Sequence, residues 1–321
     1  MSAAPWLRRL LTGLLVAAAL VFLALSVARN WGELRRFDWH VHPGWLALSI
    51  VAHVAVFAWG VVVWSRVLGY FRHPPLGFPA LLRIWSLSNA ARYIPGAVWQ
   101  FFAAARLAQG AGISRVLLLT SLLIHVGFSL LAAALVAAAT LPGELLGVGA
   151  YAPSVLVVAL VAALLLVHPA VLNFGLRLVN RVAKRDVLTW HGTWTGGVGL
   201  LALQVASWLL YGAAFYLFIA AFVPVAPSAL LPLGGVNALS FIAGYVVIVA
   251  PAGFGPREVT MAALLAPYAP AGVGVVLALG ARLWTVAAEL CTAALALLLT
   301  RGRSGTAAPT GRAGRAAHRT P

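Results

Sequence analysis

The chain has a single cysteine, Cys291, in 321 residues. That residue lies inside the last apolar run, so neither a disulfide framework nor a cysteine-based metal site is available. Acidic side chains are nearly as scarce, six in all, and charged residues of both signs make up only 9% of the chain. Most of it therefore cannot be the skin of a soluble fold. With 63% of residues hydrophobic, the composition is that of an all-α polytopic membrane protein.

What charge there is lies on one side of the ledger: 22 basic residues, all but Lys184 arginine, give a net +16. A nucleic-acid groove would need them clustered on a water-facing surface with aromatic or polar partners. Here they fall mostly in short loops and a tail, as the positive-inside rule requires, so no nucleic-acid partner is expected. No nucleotide-binding or catalytic motif appears, and no cofactor or metal site is expected. The amino end, Arg8-Arg9 followed by an apolar run to Val27, reads as an uncleaved first helix, although Ser26-Val27-Ala28 resembles a cleavage site.

Full spans are expected at 10–28, 44–64, 115–139, 150–168, 198–222 and 271–299, each about the twenty residues that a bilayer core requires. Two further apolar segments, 79–110 and 230–268, are interrupted by Pro, Gly and charges. The loop 169–195 carries Arg177, Arg181, Lys184 and Arg185, whereas 140–149 and 223–229 carry no Lys or Arg. The first loop is expected in the cytoplasm and the other two outside. That distribution holds if both interrupted segments dip in and return as re-entrant hairpins. Residues 10–139 and 150–299 then form two halves of opposite orientation, the inverted-repeat plan of secondary transporters. The alternative is eight full spans with ordinary proline kinks, since 231–250 is long enough to cross. Residues 1–300 form one membrane domain of the cytoplasmic membrane, both termini cytoplasmic. Residues 301–321 form a disordered basic tail, too poor in apolar residues to offset ordering entropy.

The first interrupted segment, "SNAARYIPGAVWQ", places Asn89, Arg92, Tyr93, Trp99 and Gln100 around Pro95-Gly96. Proline removes a backbone donor and pushes the preceding residue out of the helical region, and glycine permits a sharp turn. Irregular backbone at membrane depth survives only when buried in protein or lining a wet cavity, so the break predicts a polar pocket. In the second segment, "VAPAGFGPREVT", Pro251, Gly253 and Gly255 make the break and Pro256 suits the first position of a new helix. Glu258 in that first turn is favoured by the helix dipole, and Arg257 is not. An anionic ligand would account for Arg257. Neighbouring helical residues point apart, so each needs a partner elsewhere.

The last span supplies candidates: Arg282 and Glu289 lie seven residues apart, on roughly one helical face. An unpaired charge at mid-bilayer costs roughly 2.5–3.5 kcal/mol. Pairing is therefore expected of Glu258 with Arg282, and of Glu289 with Arg257 or Arg92; a purely architectural ion-pair network is the alternative reading. Asn237 precedes the second break and either lines the cavity or caps a half-helix. His53 and His125 read as core histidines, and Gln204 with Ser207 as glue between helices. The outer loop "ELRRFDWHVH" holds Glu33, Asp38, His40 and His42 among aromatic residues; it fits an interfacial segment better than a catalytic cluster.

The motifs "ARYIPGAVWQ" and "PAGFGPREVTMAALL", in this order and at this separation, resemble the lysylphosphatidylglycerol synthase transmembrane region family, also described as flippase-like integral membrane domains. Arg92, Tyr93, Pro95 and Gly96, then Pro251, Gly253, Gly255, Arg257 and Glu258, match its two motifs. The resemblance covers most of residues 5–300 and implies a lipid-handling membrane domain, in the best understood relatives one that moves an aminoacylated phospholipid between leaflets. Stand-alone members are linked to polyprenyl-linked sugar and envelope pathways. This chain lacks the soluble aminoacyltransferase domain of the bifunctional relatives, which removes the grounds for calling it a synthase.

The function expected is movement or binding of an anionic phospholipid or a lipid-linked sugar, its phosphate gripped by arginine forks at two half-helix ends. A gradient or the lipid distribution would supply the energy. Two alternatives are a membrane-embedded glycosyl or phosphoryl transferase with Asp38 or Glu33 as base, and a non-transporting partner of an envelope glycosyltransferase.

Overall fold

The structure, a computed structural model, describes residues 21, 25, 28–39, 41–90, 99–183, 188–246 and 254–301, without the side chains of 99–102, 182–183 and 301. Eleven α-helices run through the described residues: α1 (Trp31–Arg36), α2 (Pro43–Tyr70), α3 (Phe78–Ala90), α4 (Trp99–Gly110), α5 (Arg115–Thr140), α6 (Ala152–Leu166), α7 (Pro169–Ala183), α8 (Trp194–Ala220), α9 (Leu230–Val246), α10 (Pro256–Leu264) and α11 (Ala271–Arg301). Their starts follow local chemistry. Ser114 accepts from the Leu117 amide ahead of α5 and Thr193 from the Gly196 amide ahead of α8, each satisfying an orphan donor of the first turn. Proline opens α2 and α10 at positions that need no amide.

Six helical stretches are long and apolar enough to cross a membrane: 43–70, 115–140, 149–166, 194–220, 227–246 and 271–300. The chain is a multi-pass membrane protein. Five of the six match expected spans. The sixth, Pro227–Val246, was expected as the first arm of a hairpin, and its length also permits a crossing. The expected span at 10–28 lies almost wholly outside the described residues. α3 and α4, of 13 and 12 residues, are each only ~20 Å long, too short to cross a core ~30 Å thick. Two helices stand where loops were expected: α1 in the 29–43 connection and α7 in the basic loop 169–195.

α2 and α8 run antiparallel through the centre, tied at both ends. The His42 amide donates to the Ala221 carbonyl (2.9 Å) at one end, and at the other the His191 amide donates to the Tyr70 carbonyl (2.9 Å) while the Tyr70 hydroxyl donates to the Gly196 carbonyl (3.0 Å). Around this pair the packing is reciprocal: α5 lies on α9 as α11 lies on α3, and α5 on α8 as α11 on α2. α3 packs on α4 as α9 packs on α10.

α9 approaches α8 closely because both are glycine at the crossing. A Cβ on Gly212 would lie 2.6 Å from Gly234 Cα, and on the neighbouring Gly235 one would meet Thr140 at the end of α5. Small residues of this kind let membrane helices pack on backbone. Gly212→Ala should therefore destabilise the solubilised protein by about 1–3 kcal/mol, read as a lower melting temperature. Gly199→Ala on the same helix, where a Cβ meets nothing within 4 Å, is the control and should leave it unchanged.

Candidate polar site at the second helix break

Gly255 has φ +97°, a left-handed conformation that an L side chain would strain. Pro256 then opens α10, and the Gly255 amide donates to Glu258 Oε2 at 2.7 Å. The other oxygen, Oε1, faces Arg282 of α11 at 3.6 Å. Glu258 is 1% exposed, so one buried carboxylate caps the new helix and ties it to α11. The Arg282 guanidinium also lies over the Phe254 ring, 5.8 Å from its centroid. The expected Glu258–Arg282 pairing is present.

Arg257 points the other way, towards α8 and α9. It donates to the Tyr211 hydroxyl at 3.3 Å and, over a longer 3.5 Å contact, to Asn237 Oδ1. It stands 5.8 Å from the Phe241 ring centre, close enough for a cation–π attraction. All three partners are neutral. Among the described residues no carboxylate comes within salt-bridge distance of Arg257, so of the two partners expected for Glu289, Arg257 is not the one it meets: the guanidinium is engaged by Tyr211 of α8 and Asn237 of α9 instead. The other expected partner for Glu289, Arg92, lies outside the described residues. Glu289 itself is buried on α11.

The surroundings of Arg257 hold more hydrogen-bonding capacity than they use. With Asn237 Oδ1 turned to the guanidinium, Nδ2 is the other end of the amide; it is fully buried and finds no partner among the described residues. His53 of α2 stacks on Tyr211 and on Trp284 of α11, with ring centroids 4.7 and 4.2 Å away. His53 Nδ1 and Trp284 Nε1 are also buried, without partners among the described residues. Leaving such groups unmatched costs about 1–3 kcal/mol each, and a small oxyanion, an acceptor at every oxygen, would match both the donors and the charge.

Of the expected site residues, the structure brings Arg257 and Asn237 together and places Gly255, Glu258 and Arg282 directly behind them. Asn89 is on α3 and donates to its own helix, at the Trp85 carbonyl (2.8 Å). Trp99 and Gln100 begin α4, their side chains outside the described ones. Arg92, Tyr93, Pro95, Gly96, Pro251 and Gly253 lie outside the described residues altogether. Tyr211, Phe241 and Trp284 were missed, and His53 was expected only as a core residue. A signal for Tyr211 existed: it lies one turn beyond Ser207 on the polar face of α8 begun by Gln204. Those two do join helices, Ser207 accepting from Trp59 Nε1 (3.0 Å) and Gln204 contacting His125 Nδ1 (3.2 Å).

In the segment 33–42, Glu33 Oε2 accepts from the Gly272 amide at 2.9 Å, a carboxylate at the positive end of α11. Trp39 Nε1 donates to the Leu34 carbonyl (3.1 Å), closing α1 onto this cap. Glu33→Ala should lower stability by about 1 kcal/mol, as removal of a helix cap does, read as a lower melting temperature of the solubilised protein.

All-helical among the described residues, with six stretches long and apolar enough to cross a bilayer, the chain is by class a polytopic membrane protein. The sequence profile of the lysylphosphatidylglycerol synthase TM region matches residues 10–293, and the chain belongs to that family. Its function thus lies with membrane lipids. Comparison with curated proteins gave no match.

Proposed function

We propose that the protein takes the anionic headgroup of a phospholipid or of a polyprenyl-phosphate-linked lipid at Arg257 and passes it across the cytoplasmic membrane. The observation that carries this reading is the surplus at Arg257: a guanidinium that among the described residues meets only neutral groups, beside a buried amide donor that finds no acceptor among them. Inside a bilayer such a surplus is expensive, and a phosphate offers the two-oxygen face that a guanidinium fork fits. Asn237 and Arg257 contact the headgroup; Glu258 and Arg282 hold the break in shape. The first broken segment, with Asn89, Arg92, Tyr93, Pro95, Gly96, Trp99 and Gln100, completes the site with Pro251 and Gly253, and Glu289 balances its charge.

The reciprocal packing of α2–α5 and α8–α11 supports two inverted halves meeting at this site, and the basic loop 169–195 favours both termini in the cytoplasm. The engagement of Glu33 at the α11 amide favours transport over surface catalysis on a lipid carrier. Reconstitution into liposomes with headgroup-labelled phosphatidylglycerol or phosphatidylcholine tests the reading. Movement of the anionic lipid should exceed that in protein-free vesicles and that of the zwitterionic lipid. Equal rates in all three would remove it.

A further inference from the structure

α7 occupies the basic loop, and its sequence, "PAVLNFGLRLVNRVA", contains no acid. One face is fastened to the protein. Asn173 Oδ1 accepts from the Trp190 amide (2.9 Å) while Nδ2 donates to the Trp190 carbonyl (3.2 Å). Asn180 makes the same double contact with Leu188, at 3.3 and 3.0 Å. Seven residues apart, the two amides share a helical face and fix the rotation of the helix, with Leu176 buried between them.

The opposite face is apolar and uncovered. Val171, Phe174 and Leu178 are 42%, 70% and 61% exposed, and their spacing puts them in one stripe. Arg177 and Arg181, both exposed, run along its edge. α6, which precedes it, also exposes apolar residues but has no charge, as befits a helix surrounded by acyl chains. α7 differs by having sides. Its depth is marked by aromatic residues with polar tips: Trp194, about half exposed, donates its Nε1 to the Leu164 carbonyl (3.1 Å), and the Tyr70 hydroxyl donates to the Gly196 carbonyl. Such residues settle at the headgroup level, where α2 and α6 end and α8 begins.

We infer that α7 is an in-plane helix that docks on a leaflet of anionic phospholipid. The stripe of Val171, Phe174 and Leu178 enters the boundary between headgroups and acyl chains, and Arg177 and Arg181 meet lipid phosphates. An apolar face with a basic border and no acid fits that occupant. This surface is separate from the Arg257 site and does not depend on transport.

The test uses the full chain with Cys291→Ser as background and spin labels attached through Phe174→Cys or Leu178→Cys. The protein is reconstituted in phosphatidylcholine vesicles with or without phosphatidylglycerol. Both labels should be reached by oxygen more readily than by a water-soluble nickel complex, and contact with labelled phosphatidylglycerol should exceed contact with labelled phosphatidylcholine. Adding Arg177→Gln and Arg181→Gln should reduce that preference by on the order of tenfold. Labels open to nickel would overturn the proposal, and so would labels closed to both reagents, which would place a protein partner or a second copy on the stripe. A lipid preference unchanged in the double variant would overturn the part played by the arginines.

Discussion

Arg257→Ala is expected to lower the affinity for an anionic lipid headgroup by roughly ten- to a hundredfold, the equivalent of the about 1.5–3 kcal/mol carried by hydrogen bonds to a charged group. Movement of that lipid in liposomes should fall with it. The folded state should survive, because the side chain's polar partners, Tyr211 and Asn237, are neutral and no buried carboxylate is left stranded. Arg257→Lys separates charge from shape. It keeps a cation but lacks the planar fork, so it should fall between the wild type and the alanine variant. Asn237→Leu gives an independent reading of the same site, since it removes the Nδ2 donor without touching charge. It should weaken headgroup binding while the unfolding temperature changes little.

Removing Glu258 should do the opposite: large in stability and only then in function. Glu258→Ala leaves the buried Gly255 amide without its acceptor and Arg282 without the carboxylate 3.6 Å away. Breaking a buried pair from one side costs about 3–5 kcal/mol, and Arg282, whose side chain is 16% exposed, brings the expected loss to the lower end. Replacing both partners with apolar residues of similar volume, Glu258→Leu with Arg282→Met, should recover part of that loss, because the pair is then removed from both sides. A single variant as stable as the wild type, by thermal unfolding in detergent, would show that the pair does not hold the break. This contrast is what separates the two adjacent residues: Glu258 builds the turn, and Arg257 points to the neutral groups of α8 and α9.

Much of the second break was legible from residue types alone. Two glycines and two prolines within Pro251–Pro256 require a turn and a new helix start, neighbouring positions on that helix must diverge, and the cost of a lone charge in lipid sends Glu258 to Arg282. The rest of the site was not legible, for a physical reason. In a helix that is apolar all round, the side facing lipid and the side facing protein have the same composition. Phe241 and Trp284 therefore carry no mark of their position, and only tertiary packing sets them beside Arg257 and His53. The same ambiguity covers Leu230–Val246, whose length suits either a hairpin arm or a crossing. Gly212 and Gly234 show their role only once paired, since either glycine alone reads as tolerance rather than contact. α7 was readable in principle: its apolar stripe has helical spacing, yet the charges that marked 169–195 as a loop masked that periodicity. The first motif, Arg92 to Gly96, lies outside the described residues.

The most direct test of the central claim is native mass spectrometry of the lipids that stay with the gently solubilised protein. The wild type should retain a phosphate-bearing anionic lipid that Arg257→Ala loses while Glu33→Ala keeps it. If wild type and Arg257→Ala carry the same lipids in the same amounts, Arg257 does not hold a headgroup, and its neutral setting at the helix break has some other cause.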